Sequence, residues 1–326
     1  MLRLAMSTRS ETFERVRDPL ADRGIEVVHL RAKQRPIRVT DAPDAPADPV
    51  EPIPDAVDVG FVYPTRLMEG AALDARLEIP WVNDREVVLT SRNKGGVTSA
   101  LDAAGVPVPR TVMVSNPVDE AAVLDAVDAA GLSYPLVVKP NSATRGVGVA
   151  KAVDRDDLSG TIDYLDLIHD NPATGDKSYL IQEFLPNARD YRLMVVDGEC
   201  LGSVERRHPP SGTASRDDDD AVMVDTADDD AAAAIDADGA SRWKHNVHRG
   251  ATATAVDPPE RHRAIAERTA ATLGIDYLGV DLLETDDRLV VTETNARPTV
   301  DAAEKYAEEF YDRLAALIRR TAAGGG

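Results

Sequence analysis

The 326-residue sequence has a single cysteine, Cys200, which excludes an intramolecular disulfide framework and a zinc site built on cysteine thiolates. It also lacks a long apolar run. Nothing approaches the roughly 18–20 residues that cross a bilayer, and the opening MLRLAMSTRS lacks the sustained apolar core of a secretory leader. A cytoplasmic protein without a membrane partner is therefore expected. Basic residues are in deficit, 37 against 57 acids, for a formal net charge of −20. A nucleic-acid backbone needs a basic face, so that partner is disfavoured. No G-x-G-x-x-G turn follows the first apolar segment, which argues against a dinucleotide binder.

The acid excess comes with abundant Asp and Ala and little Lys. Such a composition suits a halophilic cell that keeps high salt inside. Surface carboxylates hold the chain in solution there, and screening removes much of their repulsion. The charge thus speaks of the solvent more than of the reaction. Hydrophobic residues, at 43%, suffice for sizeable cores, and the length allows two or three domains.

Along the chain, Leu2–Met6 reads as a strand. A helix over 11–23 follows, capped by Ser10 and carrying Phe13, Val16 and Leu20 at helical spacing before Gly24. A second strand over 25–30 completes a β-α-β unit, the start of a small parallel α/β domain. Residues 41–54 are Pro- and Asp-rich and predict an exposed loop. Strands are expected at 57–62 and 79–83, then a helix capped by Ser91 with Val97 and Leu101 on its apolar stripe. A further helix over 119–130 precedes a strand over 134–139 that ends in Lys139. A loop with Gly146 and Gly148 follows, and its backbone N–H groups suit phosphate, although two glycines alone also make an ordinary turn. Residues 179–184 form the next strand, and 190–207 a hairpin turning at Asp197-Gly198. The hairpin begins with Asp190 and Arg192 and ends in Arg206 and Arg207, which serve either a bound anion or neighbouring acids. Residues 208–241 are a low-complexity acidic insert. His245 and His248 lack a third ligand nearby, so a metal pair is not argued from them. Glu260–Leu273 is amphipathic, and a last helix is expected over 302–320.

The stretch 279–301, GVDLLETDDRLVVTETNARPTVD, predicts a hairpin turning at Asp286-Asp287. Asp281 lies in its first strand, and Glu293 and Asn295 lie two residues apart at the end of its second. Residues i and i+2 share a strand face, so three oxygen-bearing groups can meet, the donor set of a hard divalent cation such as Mg²⁺. Alone, the stretch reads more readily as a solvated acidic hairpin. Lys94, at a helix start where the macrodipole disfavours a cation, reads alone as a surface lysine.

In order, the segments RNK (92–94), VVKP with its glycine loop (137–148), IQEFLP (181–186), DYRLMVVDG (190–198), ERR (205–207), KHNVHRGA (244–251), GVDLLE (279–284) and ETN (293–295) resemble the ATP-grasp superfamily, and within it the RimK-like amino-acid ligases. The resemblance covers about 83–301. It implies an α/β (α+β) ATP-grasp fold, with an N-terminal parallel α/β domain over 1–90 and two α+β lobes, 91–180 and 181–326, that clamp ATP. It further implies that Lys94 and Lys139 approach the ATP phosphates and that Gly146 and Gly148 belong to the loop closing over them. Glu183 and Phe184 match the adenine segment, and Asp190 a position near the ribose. Arg192, Arg206, Asn246 and Arg249 match polar positions around phosphates and a carboxylate substrate. Asp281, Glu293 and Asn295 match the Mg²⁺ ligands, with Mn²⁺ as the alternative ion. The implied reaction joins a carboxylate to an amine, often that of an amino acid such as glutamate, through an acyl phosphate. A ligase for a cofactor tail or carrier protein, and a non-catalytic ATP-binding module, are the alternatives, and a homo-oligomer is compatible with all of them. Two departures stand out. Ala296-Arg297-Pro298-Thr299 replaces the usual small-residue turn, placing Arg297 beside the metal trio, where it suits a substrate carboxylate. The acidic insert also separates ERR from KHN.

Overall fold

The computed structural model describes residues 1–40, 56–143, 147–171, 175–207 and 252–324. The expected loop at 41–54, the acidic insert at 208–241, the two histidines at 245 and 248, and the candidate site residues Gly146, Asn246 and Arg249 lie outside the described residues.

Three sheets organise the chain. The first contains β1 (Leu2–Met6), β2 (Ile25–His29), β3 (Val59–Val62) and β4 (Trp81–Asn83), in the order β2-β1-β3-β4, with every pairing parallel. Helices α1 (Glu11–Ala21) and α2 (Leu67–Leu77) are its crossovers. Next come α3 (Arg85–Arg92) and α4 (Lys94–Ala103). Asn93, not Ser91, caps α4, its side chain accepting from the Gly96 N–H at 3.0 Å. Ser91 lies instead in the last turn of α3, where it is buried against β13 (Leu289–Asn295) and the residue that follows it.

The middle sheet is antiparallel, in the order β5-β8-β6-β7, from β5 (Thr111–Ser115), β6 (Leu136–Pro140), β7 (Ala150–Ala152) and β8 (Ser178–Glu183). Helices α5 (Glu120–Ala129) and α6 (Arg155–His169) cover one face through Val123, Val127, Leu158 and Ile162. The boundary expected at 180/181 falls inside β8, whose partners lie in this sheet. Val97 and Leu101 of α4 pack in the C-terminal core.

The C-terminal sheet is antiparallel, in the order β11-β10-β9-β12-β13, from β9 (Arg189–Val196), β10 (Glu199–Arg207), β11 (Thr252–Ala255) and β12 (Tyr277–Glu284) together with β13. Its faces explain the whole molecule. On β9, Tyr191, Leu193 and Val195 turn towards α4 and α7 (Glu260–Leu273). The alternate residues of β9, Asp190, Arg192, Met194 and Val196, line the opposite face. Met194, Val196 and Tyr277 pack there against Leu4, Val59 and Phe61 of the first sheet. Where that sheet ends, the same face becomes charged. Strand alternation thus carries one surface from a domain core into a polar cleft.

The last helix, α8 (Phe310–Gly324), starts eight residues later than the sequence pattern suggests, after a 3-10 turn at Ala303–Lys305. Phe310, Leu314 and Leu317 do form its buried stripe, and it packs on the first sheet as well as on the C-terminal sheet. No helix among the described residues is long and apolar enough to cross a membrane.

Candidate active site

The charged face of the C-terminal sheet is built by register. Asp281 lies opposite Glu293 on one side and opposite Arg192 on the other, while Asp190 lies opposite Arg206. Directly opposed residues share a face, so all five converge. Arg192 grips Asp281 with both arms, Nε to Oδ1 at 2.7 Å and Nη2 to Oδ2 at 2.8 Å, and Arg206 stands 3.1 Å from Oδ2. Arg206 also donates to Asp190 at 2.5 and 3.0 Å. Burial pushes the Asp281 carboxyl up, but Arg192 and Arg206 outweigh it and hold the group at about 2. Arg192 and Arg206 therefore both face buried acids.

Glu293 and Asn295 look into the cleft from β13. Glu293 pairs with Lys94 at 3.3 Å, and its side chain keeps 40% exposure. The Asn295 amide oxygen accepts from the Arg297 N–H at 2.8 Å. Among the described residues no three His, Cys, Asp or Glu side chains cluster as a metal site, since the third oxygen here is an amide. By chemistry the trio still fits a hard divalent cation. Glu293 is open to it, whereas Asp281 would have to share its oxygens with two guanidiniums.

Two lysines come to the same place, Lys139 from the middle sheet and Lys94 from the first residue of α4. Lys139, on β6, is buried and reaches across to the other lobe, donating to Gln182 Oε1 at 3.1 Å and to the Thr292 carbonyl at 3.3 Å. Lys94 donates to the Ala143 carbonyl at the start of the glycine loop, so it is not the exposed surface lysine its position in sequence suggests. Asn141 fixes this corner, accepting from the Gly95 N–H at 2.8 Å and donating to Asn93 at 3.0 Å. Gly148 has φ +74°, and a Cβ there would lie 2.8 Å from Pro140 Cγ, so this turn requires glycine.

Burial pushes the Lys139 ammonium down to about 8, helped by Lys94 and opposed by Glu293 and Asp281. Two opposite trends follow. Below about 8 the ammonium is charged and can hold an anion. Between 8 and the ordinary lysine value, the unfolded chain binds the proton and the folded chain does not, so folding stability gains with rising pH. In EDTA-treated protein, Lys139→Met should remove this rising component from stability measured between pH 8 and pH 10, about the window of the shift. An unchanged slope would contradict the burial of this charge.

At the junction of the lobes, the Glu183 carboxylate accepts from the Arg110 N–H at 2.7 Å and pairs with Arg288 at 2.5 Å. It lines a cleft of about 570 Å³ with Leu185, Pro186 and the 285–288 turn. The side chain that meets Lys139 is Gln182, one residue earlier and on the other strand face, which sequence reading overlooked. Phe184 is half-buried, with the Lys151 ammonium 4.1 Å from its ring centroid. Arg297 donates to the Tyr63 carbonyl of the N-terminal domain. Asn141, Asn93 and Thr292 were likewise not singled out from sequence. Only their neighbours' motifs pointed towards them.

Comparison with known proteins agrees with this architecture. Residues 91–211 and 214–315 match the family model of the RimK-like ATP-grasp domain. A probable alpha-L-glutamate ligase of an Enterobacter species is 33% identical over 128 residues, 39% of this chain and 33% of that protein. A ribosomal protein bS6–L-glutamate ligase of Escherichia fergusonii is 30% identical over 128 residues, again 39% and 33% of the two chains. The match thus spans about a third of the length of these relatives. Among solved structures, D-cycloserine synthetase superposes with a TM-score of 0.66 at 18% identity, over 98% of this chain and 99% of that one. A RimK domain protein from Sphaerobacter thermophilus gives a TM-score of 0.62 at 21% identity, over 98% and 99%.

Proposed function

The chain belongs to the RimK-like ATP-grasp family, and from that premise we propose that it is an ATP-dependent carboxylate–amine ligase acting with glutamate or a similar amino acid. The observation that carries this reading is the meeting of Lys139 from the middle sheet and Lys94 from the start of α4 with Glu293 and Asp281 of the C-terminal sheet, with the Lys94–Glu293 pair at 3.3 Å. Cations for phosphate and oxygen donors for a divalent ion sit side by side in a cleft between lobes.

In this reading the substrate carboxylate attacks the γ-phosphoryl group of ATP, ADP leaves, and an amine then displaces phosphate from the acyl carbon to form the amide. Mg²⁺, held by Glu293, Asn295 and Asp281, would neutralise phosphate charge as a Lewis acid, and Mn²⁺ suits the same oxygens. Lys139, fixed by Gln182 and Thr292, would hold a phosphate without reorganising, the economy that preorganised charges give. Lys94 now divides itself between Glu293 and Ala143. Once the Glu293 carboxylate is engaged elsewhere, that ammonium is free for phosphate. The loop between Asn141 and Gly148 would exclude water, which otherwise hydrolyses an acyl phosphate. Arg192 and Arg206 hold Asp281 and Asp190 in place, and the family pattern makes Asp190 the candidate for the ribose. We place the enzyme in the cytoplasm, where ATP is supplied, of a cell that holds high salt.

The test is ADP release in concentrated KCl from the purified chain with candidate carboxylates and amines, with mass spectrometry of the product. ADP formation should require both partners, and the product should gain one amino-acid residue. ADP release with neither partner, or a phosphorylated hydroxyl, would replace the ligase with an ATPase or a kinase. No nucleotide binding would leave neither.

A further inference from the structure

Among the described residues, the half-buried arginines mostly hold acids. Arg15 stands 3.2 Å from Asp301, Arg192 2.7 Å from Asp281 and Arg206 2.5 Å from Asp190. Arg92, the last residue of α3, does not. It is half-buried, its hydrogen bond goes to the Thr65 carbonyl at 3.5 Å, and no acid among the described residues pairs with it. Burial accordingly depresses its pKa with no carboxylate pulling the other way. Taking a guanidinium out of water without a counter-charge costs free energy, and a chain with 57 acids has counter-charges to spare.

The place is defined by the neighbours. Ser91 Oγ accepts from the Ala296 N–H at 3.0 Å, and the Asn83 amide donates to the Ala296 carbonyl at 2.7 Å. The end of α3 is therefore stitched to the residue before Arg297. Arg297 donates to the Tyr63 carbonyl and Arg92 to that of Thr65. Two guanidiniums thus reach the same loop, at carbonyls no more than about 7 Å apart for residues two apart in a chain. That loop leaves the C-terminal end of β3 in a parallel sheet, the edge where open α/β sheets bind ligands. Glu293 and Asn295 lie four and two residues before Arg297.

We propose that Arg92 and Arg297 together hold the α-carboxylate of the amino acid whose amine is ligated. This rests on the ligase reading above. A carboxylate that becomes an acyl phosphate loses its charge during the reaction, whereas the α-carboxylate of an amine donor keeps its charge throughout and suits a fixed cation. The planar guanidinium fork adds direction to the contact, which an ammonium lacks.

Calorimetric titration tests this on the full chain, with Mg²⁺ and a non-hydrolysable ATP analogue present. The proteinogenic amino acids are the probes, each compared with its α-carboxamide. Wild type should prefer the acid by about 10-fold or more, the worth of a charged hydrogen bond. Arg92→Gln should abolish the preference while the ATP analogue binds as before, Arg92→Lys should keep part of it, and Arg297→Gln should weaken it. Thermal melting checks that each variant is folded. An Arg92→Gln variant that still distinguishes acid from amide, or a wild type that never does, overturns the proposal. Failure of the ligase reading looks different: no amide product, with the carboxylate preference and its loss in Arg92→Gln intact.

Discussion

Glu293→Gln is expected to lower metal-dependent ATP turnover by about 10³-fold while leaving the melting temperature close to wild type, since removing one electrostatic stabiliser of a transition state costs ~10²–10³ and a charged ion ligand somewhat more. The reason lies in where the charge sits. Glu293 keeps 40% of its side chain exposed, so the fold draws little from its carboxylate. Asp281 is different. Its side chain is 7% exposed and its oxygens neutralise Arg192 and Arg206 together. Asp281→Asn should therefore lose both activity and stability, by about 3–5 kcal/mol when one partner of a buried ion network is removed. Turnover assays with varied Mg²⁺, run beside urea denaturation, separate the two effects. Undiminished turnover in Glu293→Gln would remove the metal assignment, and an Asp281→Asn protein as stable as wild type would remove the structural role of the arginine network.

The second large effect is mechanical. Phe310→Ala should destabilise the protein by about 3–5 kcal/mol, the usual cost of emptying a fully buried aromatic site. Phe310 is 0% exposed and stacks on Tyr306 with centroids 4.1 Å apart. It shares a core with Leu4 and Phe61 of the first sheet and with Val196 and Tyr277 of the C-terminal sheet. That one side chain thus ties the final helix to the first domain and to the sheet that bears the site. Leu167→Ala on α6, where the side chain is 71% exposed, is the control and should change stability by no more than about 0.5 kcal/mol. A loss below about 1 kcal/mol in Phe310→Ala would mean that the first domain is held by something other than this core.

Much of this architecture can be read along the chain because it is set by local pattern. The hairpin at 277–295 needs only alternation and an acidic turn, and helix 260–273 needs only its stripe and the left-handed Gly274 at its end. The order of eight short segments points to the family, which the match over 91–211 and 214–315 shows. Ser91 shows the limit. Ser and Asn both make good caps, and only the fold decides that Asn93 takes α4 while Ser91 turns to Ala296, more than two hundred residues away.

The chain by itself therefore determined most of its strands and helices, its family and the identity of its metal and phosphate candidates. Tertiary structure alone decided the state of those groups. Asp281 meets Arg192 and Arg206 only through strand register, Lys139 is buried only because β6 faces the end of β13, and Gln182 joins it only through the pairing of β6 with β8. Arg92 lacks an acid partner among the described residues because of where α3 docks. Register and docking are set by burial summed over whole faces, a long-range quantity that no local stretch of sequence contains.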